Sequence, residues 1–199
     1  MIYYSIITYA IMCSALTLGA LSFVRIFFGI FMQPITRGII SACVFVLSLM
    51  PIQHTSLAMI FYSVFDMPSF LLLFICLFSI LRTFINQIGF IMGYRGFLFI
   101  ALLWLLFMGN AFGIFEWAYG SLGYRILLIA CLISIAYCID RVCGIFMLMA
   151  FVLWLPFSNT IDIYDAMFDS VVALFGWVMQ SMPMYRNNFH VALLKPKFK

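Results

Sequence analysis

Apolar residues run along this chain in long blocks, and the few polar positions between them decide how many helices the blocks make. The most telling block is 124–156, apolar except for the adjacent charges Asp140 and Arg141 near its centre. As one helix it would be about 48 Å long, against a hydrocarbon core of about 30 Å. It would also leave an ion pair near mid-bilayer, where a charge costs at least about 2.5–3.5 kcal/mol. Two short helices that reverse at Asp140–Arg141 put both charges at the membrane surface. The pattern predicts a hairpin, and with it an all-α, polytopic integral membrane protein of about seven short transmembrane helices.

The expected spans are 2–24, 38–52, 67–82, 97–115, 122–139, 142–156 and 167–183, in one transmembrane domain over 1–199 with no soluble domain. The first span lacks a basic leader and a convincing cleavage pattern, so it reads as retained. Residues 25–37 are apolar but bracketed by Arg25 and Arg37, which suits a segment lying in the headgroups. Residues 56–65 are too few to cross alone. Asp66-Met67-Pro68-Ser69 reads as a helix start with Asp66 as N-cap. Residues 83–96 read as an amphipathic loop.

Charge tests the span count. With the N-terminus outside and seven crossings, Arg25, Arg37, Arg82, Arg95, Arg141, Arg186, Lys195, Lys197 and Lys199 share one side, nine of the ten basic residues. Asp66, Glu116, Asp162, Asp165 and Asp169, five of the six acids, share the other. The positive-inside rule then gives an N-out, C-in orientation with a cytoplasmic basic tail. A cell inner (cytoplasmic) membrane is the expected location.

Composition agrees. The chain is 67% hydrophobic and 8% charged, where soluble domains have roughly 25% charged residues. A net charge of +4 spread along 199 residues gives no footprint for nucleic acid. The six cysteines all lie in apolar runs without a Cys-x-x-Cys pair, and they read as small buried hydrophobes rather than redox or metal groups.

Candidate chemistry is sparse. His54, Asp66, Glu116, Arg125, Asp162, Asp165 and Asp169 map to the outer face, where converging loops would form a polar cluster able to hold a cation, a basic segment or a proton. Against that stands an ordinary role for the carboxylates as helix caps and solvated loop groups, with Asp169 the deepest into its span. Gly109, Asn110 and Gly113 offer a small-residue surface for close helix packing or, more sharply, a polar lining. Arg186, Lys195, Lys197 and Lys199 suit contact with anionic lipid. His54 and His190 fall on opposite sides, so no haem or metal site is expected, and no cofactor is implied.

No nucleophile elbow, metalloprotease, phosphate-loop or dinucleotide motif is present. The leading expectation is a non-catalytic subunit that docks on and stabilises or regulates a larger membrane complex. Its partners would be the lipid bilayer and a larger membrane protein. The alternative is a small transporter or channel that uses the outer carboxylates. An enzyme acting on lipid is the weakest reading, since only those carboxylates and His54 supply acid–base groups.

Overall fold

The computed structural model describes residues 2–28, 33–51, 55–84, 92–109 and 120–174. All described elements are helices: α1 (Ile2–Phe28), α2 (Pro34–Leu49), α3 (Leu57–Phe65), α4 (Phe70–Phe84), α5 (Tyr94–Met108), α6 (Leu122–Ile139), α7 (Arg141–Trp154) and α8 (Ile163–Met167). A 3-10 turn (Leu155–Phe157) follows α7, and a further helical stretch is described over 170–174. Two helices, α1 and α6, are long and apolar enough to cross a membrane, while four others are apolar but shorter. The chain divides into two compact units. The first holds residues 1–91 and 148–169, and the second holds 92–147 and 170–199.

Unit one is built on α1. Its buried face presents Tyr9, Ala10, Cys13, Ala15 and Leu18, mostly small residues that let neighbouring helices approach. Along this face α2 runs back antiparallel, and the Ser14 hydroxyl donates to the Ser41 carbonyl (3.1 Å). Helix α4 lies alongside as well, starting at the same end as α1: the Tyr4 and Phe70 rings meet edge to face at 5.1 Å. Nine residues make α3 only about 14 Å long, and it stays at that end, with Phe61 stacked on Tyr9 at 6.0 Å. Ser56 caps α3 by accepting the Met59 amide (3.2 Å).

The end of α3 and the start of α4 differ from the sequence expectation. Asp66 is the C-cap of α3, with its N–H donating to the Tyr62 carbonyl, and it does not cap α4. Ser69 does that, accepting the Leu72 amide (3.1 Å), so α4 begins at Phe70. Asp66 is held at φ 60°, ψ −145°, a conformation that favours glycine, because four residues must connect two helices there. The Tyr9 hydroxyl fixes this corner by donating to the Asp66 carbonyl (2.9 Å).

Other boundaries shift for local reasons. Pro34 supplies the preset φ of a first turn, so α2 starts inside the expected headgroup segment. Helix α4 continues to Phe84 and α5 begins at Tyr94, which shortens the expected 83–96 loop from both sides. Helix α8, capped where Asp162 accepts the Tyr164 amide (2.9 Å), lies before the expected span 167–183 and shares only Met167 with it. The chain then leaves helical geometry at Phe168 before turning helical again at Ser170.

In unit two the hairpin is explicit. Asp140 is extended (φ −149°, ψ 112°) between α6 and α7, and the chain doubles back through that single residue. A Cβ placed on Gly144 would sit 2.5 Å from Tyr137 Cα, although the two residues would be about 10 Å apart along one continuous helix. Only glycine permits so close a crossing.

Candidate functional site

Two carboxylate centres organise the described structure. The first is the predicted outer cluster, four of whose acids gather at one end of unit one. Asp66 arrives on the α3–α4 connection, Asp162 and Asp165 on α8 and its cap, and Asp169 on the segment after α8. The Asp169 carboxylate is buried, 7% exposed, and its Oδ2 accepts the Ser69 amide at 2.9 Å, a bond between residues one hundred apart in sequence. Asp169 thus tops the N-terminus of α4, where unpaired amides and the helix dipole favour negative charge.

Asp165 lies outside the long helices, near enough to Asp162 and Asp66 to feel both charges. Partial burial, then those two carboxylates, push its carboxyl above the ordinary value. This end is rich in aromatic rings, in two runs of contacts between 5.1 and 6.2 Å: Tyr4–Phe70–Phe157 and Tyr9–Phe61–Phe65. Trp154 donates Nε1–H to the Ile161 carbonyl (2.9 Å). No group of three or more His, Cys, Asp or Glu side chains among the described residues is close enough to hold a metal ion.

The basic residues of unit one lie towards the other end. Arg82 is about 18 Å beyond Phe70 along α4, and Arg37 lies on α2 one turn farther from the acids than Ser41. Arg25 is near the end of α1.

The second centre is Asp140. One oxygen accepts the Val142 amide (2.9 Å) and, at 3.5 Å, the Cys143 amide, capping α7. The other accepts the Gly93 amide (2.7 Å) at the start of α5. A single half-buried carboxylate therefore satisfies two helix N-termini and ties the hairpin turn to a third helix. A Cβ on Gly96 would meet Cys143 Cβ at 2.9 Å and the Asp140 carboxylate at 3.0 Å, so glycine permits this docking. Arg95 and Arg141 stand exposed at the same end of the unit. Sequence reading placed Asp140 at the turn but gave no signal for its bond to Gly93.

Arg125 belongs to unit two, in the first turn of α6, and Gly109 ends α5 by donating its N–H to the Leu105 carbonyl. His54, Glu116, Asn110, Gly113, Arg186, Lys195, Lys197 and Lys199 lie outside the described residues. What remains on view is a set of engaged carboxylates: each of Asp140, Asp162 and Asp169 accepts a backbone amide. Neither a protein family nor a curated protein nor a solved structure matches this chain.

Proposed function

We propose that the chain is a non-catalytic, multi-pass subunit of the cell inner membrane that docks on a larger membrane complex and stabilises or regulates it. The observation that carries this reading is α6. It is apolar on every side, yet only 11% of its span is buried. Leu127 is 61% exposed and Ile135 49%. A helix apolar all round belongs in a core or in a membrane, and soluble proteins do not leave such a surface to water.

Lipid covers part of that surface, and helix length argues for protein over the rest. Helices α2, α4, α5 and α7 have 16, 15, 15 and 14 residues, about 21–24 Å each. A hydrocarbon core of about 30 Å must thin around such helices or be replaced by a neighbouring protein. The separation of arginines from acids in unit one fits an orientation with the acidic end outside and the basic end in the cytoplasm.

The test is purification from the native membrane in mild detergent. The expected result is a particle larger than the 22.9 kDa chain, with a defined membrane partner at fixed stoichiometry. Leu127→Ser with Ile135→Ser should release the partner while leaving the helical signal intact. A stable lone chain in the native membrane extract would defeat the reading.

A further inference from the structure

We infer that unit two fits a membrane thinner than usual, so that phospholipids with short acyl chains gather around it and the bilayer thins there. The inference rests on the membrane placement proposed above and not on the larger partner, since whatever surface a partner leaves is met by lipid. Two helices each give the height of the apolar belt. The charges on α6 and its turn, Arg125 and Asp140, are separated by about 22 Å of helix. On α5, Arg95 stands in the first turn and the helix ends at Met108, about 20 Å farther.

The two heights share a baseline. The Asp140 carboxylate accepts the Gly93 amide at 2.7 Å, which sets the start of α5 level with the end of α6. Arg95 and Arg141 are both exposed at that level, and arginines flanking apolar helices belong at a membrane surface. Beyond that level the surface is hydrocarbon: Leu102, Leu105 and Met108 on α5 are exposed, as are Leu127 and Ile135 on α6. No charged residue interrupts α5 after Arg95 or α6 after Arg125.

A hydrocarbon core of about 30 Å is taller than this belt by about 8–10 Å. Tilt shortens the belt further along the membrane normal, and an arginine reaching outward along its own stem restores only part of the gap. Lipid that meets the belt must compress its chains, at a cost that rises with each ångström of mismatch, and phospholipids whose chains are already short escape that cost. In unit one α1 makes no such demand, since its 27 residues reach about 40 Å. The effect is therefore assigned to unit two.

Trp104, half-buried on α5 between Leu102 and Leu105, is a native reporter of the lipid beside unit two. The full chain is reconstituted in vesicles of dioleoylphosphatidylcholine mixed with either dimyristoleoyl- or dierucoylphosphatidylcholine, one component carrying brominated chains that quench tryptophan on contact. The difference between wild type and Trp104→Phe isolates the α5 signal, and Leu127→Trp adds a reporter on α6. Dimyristoleoyl chains should be enriched several-fold at both reporters over their share of the mixture, and dierucoyl chains should be depleted. Circular dichroism and a single elution peak establish that each variant is folded. Should Trp104→Phe fail to fold, the signal gained by Leu127→Trp decides alone. Equal quenching by all three lipids, or a preference for dioleoyl or dierucoyl chains, would overturn the proposal and leave the membrane placement standing. A chain that stays in the aqueous fraction and floats with none of the vesicles would overturn that placement, and this proposal with it.

Discussion

Replacing Gly144 with alanine adds one methyl group at the point where α7 crosses α6. That methyl would lie 2.5 Å from Tyr137 Cα and 2.6 Å from both its Cβ and its backbone nitrogen. Carbon atoms rest at about 3.5–4.0 Å, so the helices must part by about 1 Å. The obstructing atoms are mainly backbone and have no alternative rotamer. Overpacking of this kind costs about 1–3 kcal/mol, and the upper part of that range applies where backbone must move. Alanine returns about 0.8–1.0 kcal/mol of helix propensity. The net expectation is a loss of about 1–2 kcal/mol, roughly a 5- to 30-fold fall in the folding equilibrium. Gly123→Ala is the internal control: its added methyl meets nothing within 4 Å, so it should be neutral or stabilising by up to about 1 kcal/mol. Reversible unfolding in mixed detergent micelles, followed by circular dichroism, measures both. Equal or greater stability for Gly144→Ala would mean that α7 does not double back against α6 at this residue.

Three further outcomes follow from the carboxylates. Asp140→Ala removes the acceptor for Gly93, Val142 and Cys143 and should cost about 2 kcal/mol in the same unfolding assay, with Asp140→Asn costing less because one oxygen remains. Asp66→Gly relieves the residue at φ 60° and should raise stability by up to about 1 kcal/mol, whereas Asp66→Ala, which keeps the strain, should not. Asp165→Asn tests a sign. The folded carboxyl is raised above 3.8 by burial, Asp162 and Asp66, so the folded state holds a proton that the unfolded state has released. Stability is therefore lost as pH rises from 3.8 through the folded value. The variant should exceed wild type above that window and match it below, and a constant difference across pH would refute the cause.

Much of the second unit was legible because a charge pair inside an over-long apolar run has few physical solutions. Length and desolvation together demanded a turn at Asp140. The bond from Asp140 to Gly93 was not legible, since the two lie forty-seven positions apart in sequence and no pattern marks an amide as an acceptor's partner. At the start of α4 the sequence pointed to Asp66 as the cap, and the structure uses Ser69. Ser69 lies directly before Phe70 and its hydroxyl reaches the Leu72 amide, whereas Asp66 is absorbed in ending α3. Asp66, Asp162, Asp165 and Asp169 were expected on one face from the proposed crossings, and the fold brings them to one end of unit one. The burial of Asp169 under the α4 N-terminus is a tertiary event with no local signature.

The orientation we propose puts the acids on the outer side of a membrane and the Asp140 turn on the inner. The most direct measurement places a single cysteine at Asp165 or at Arg141 in a cysteine-free background and exposes intact cells to an impermeant thiol reagent. Both positions are exposed in the fold, so burial does not confound the comparison. The account predicts labelling at 165 only, with 141 reacting once the cells are permeabilised. Labelling of 141 from outside, or of both positions, would contradict it.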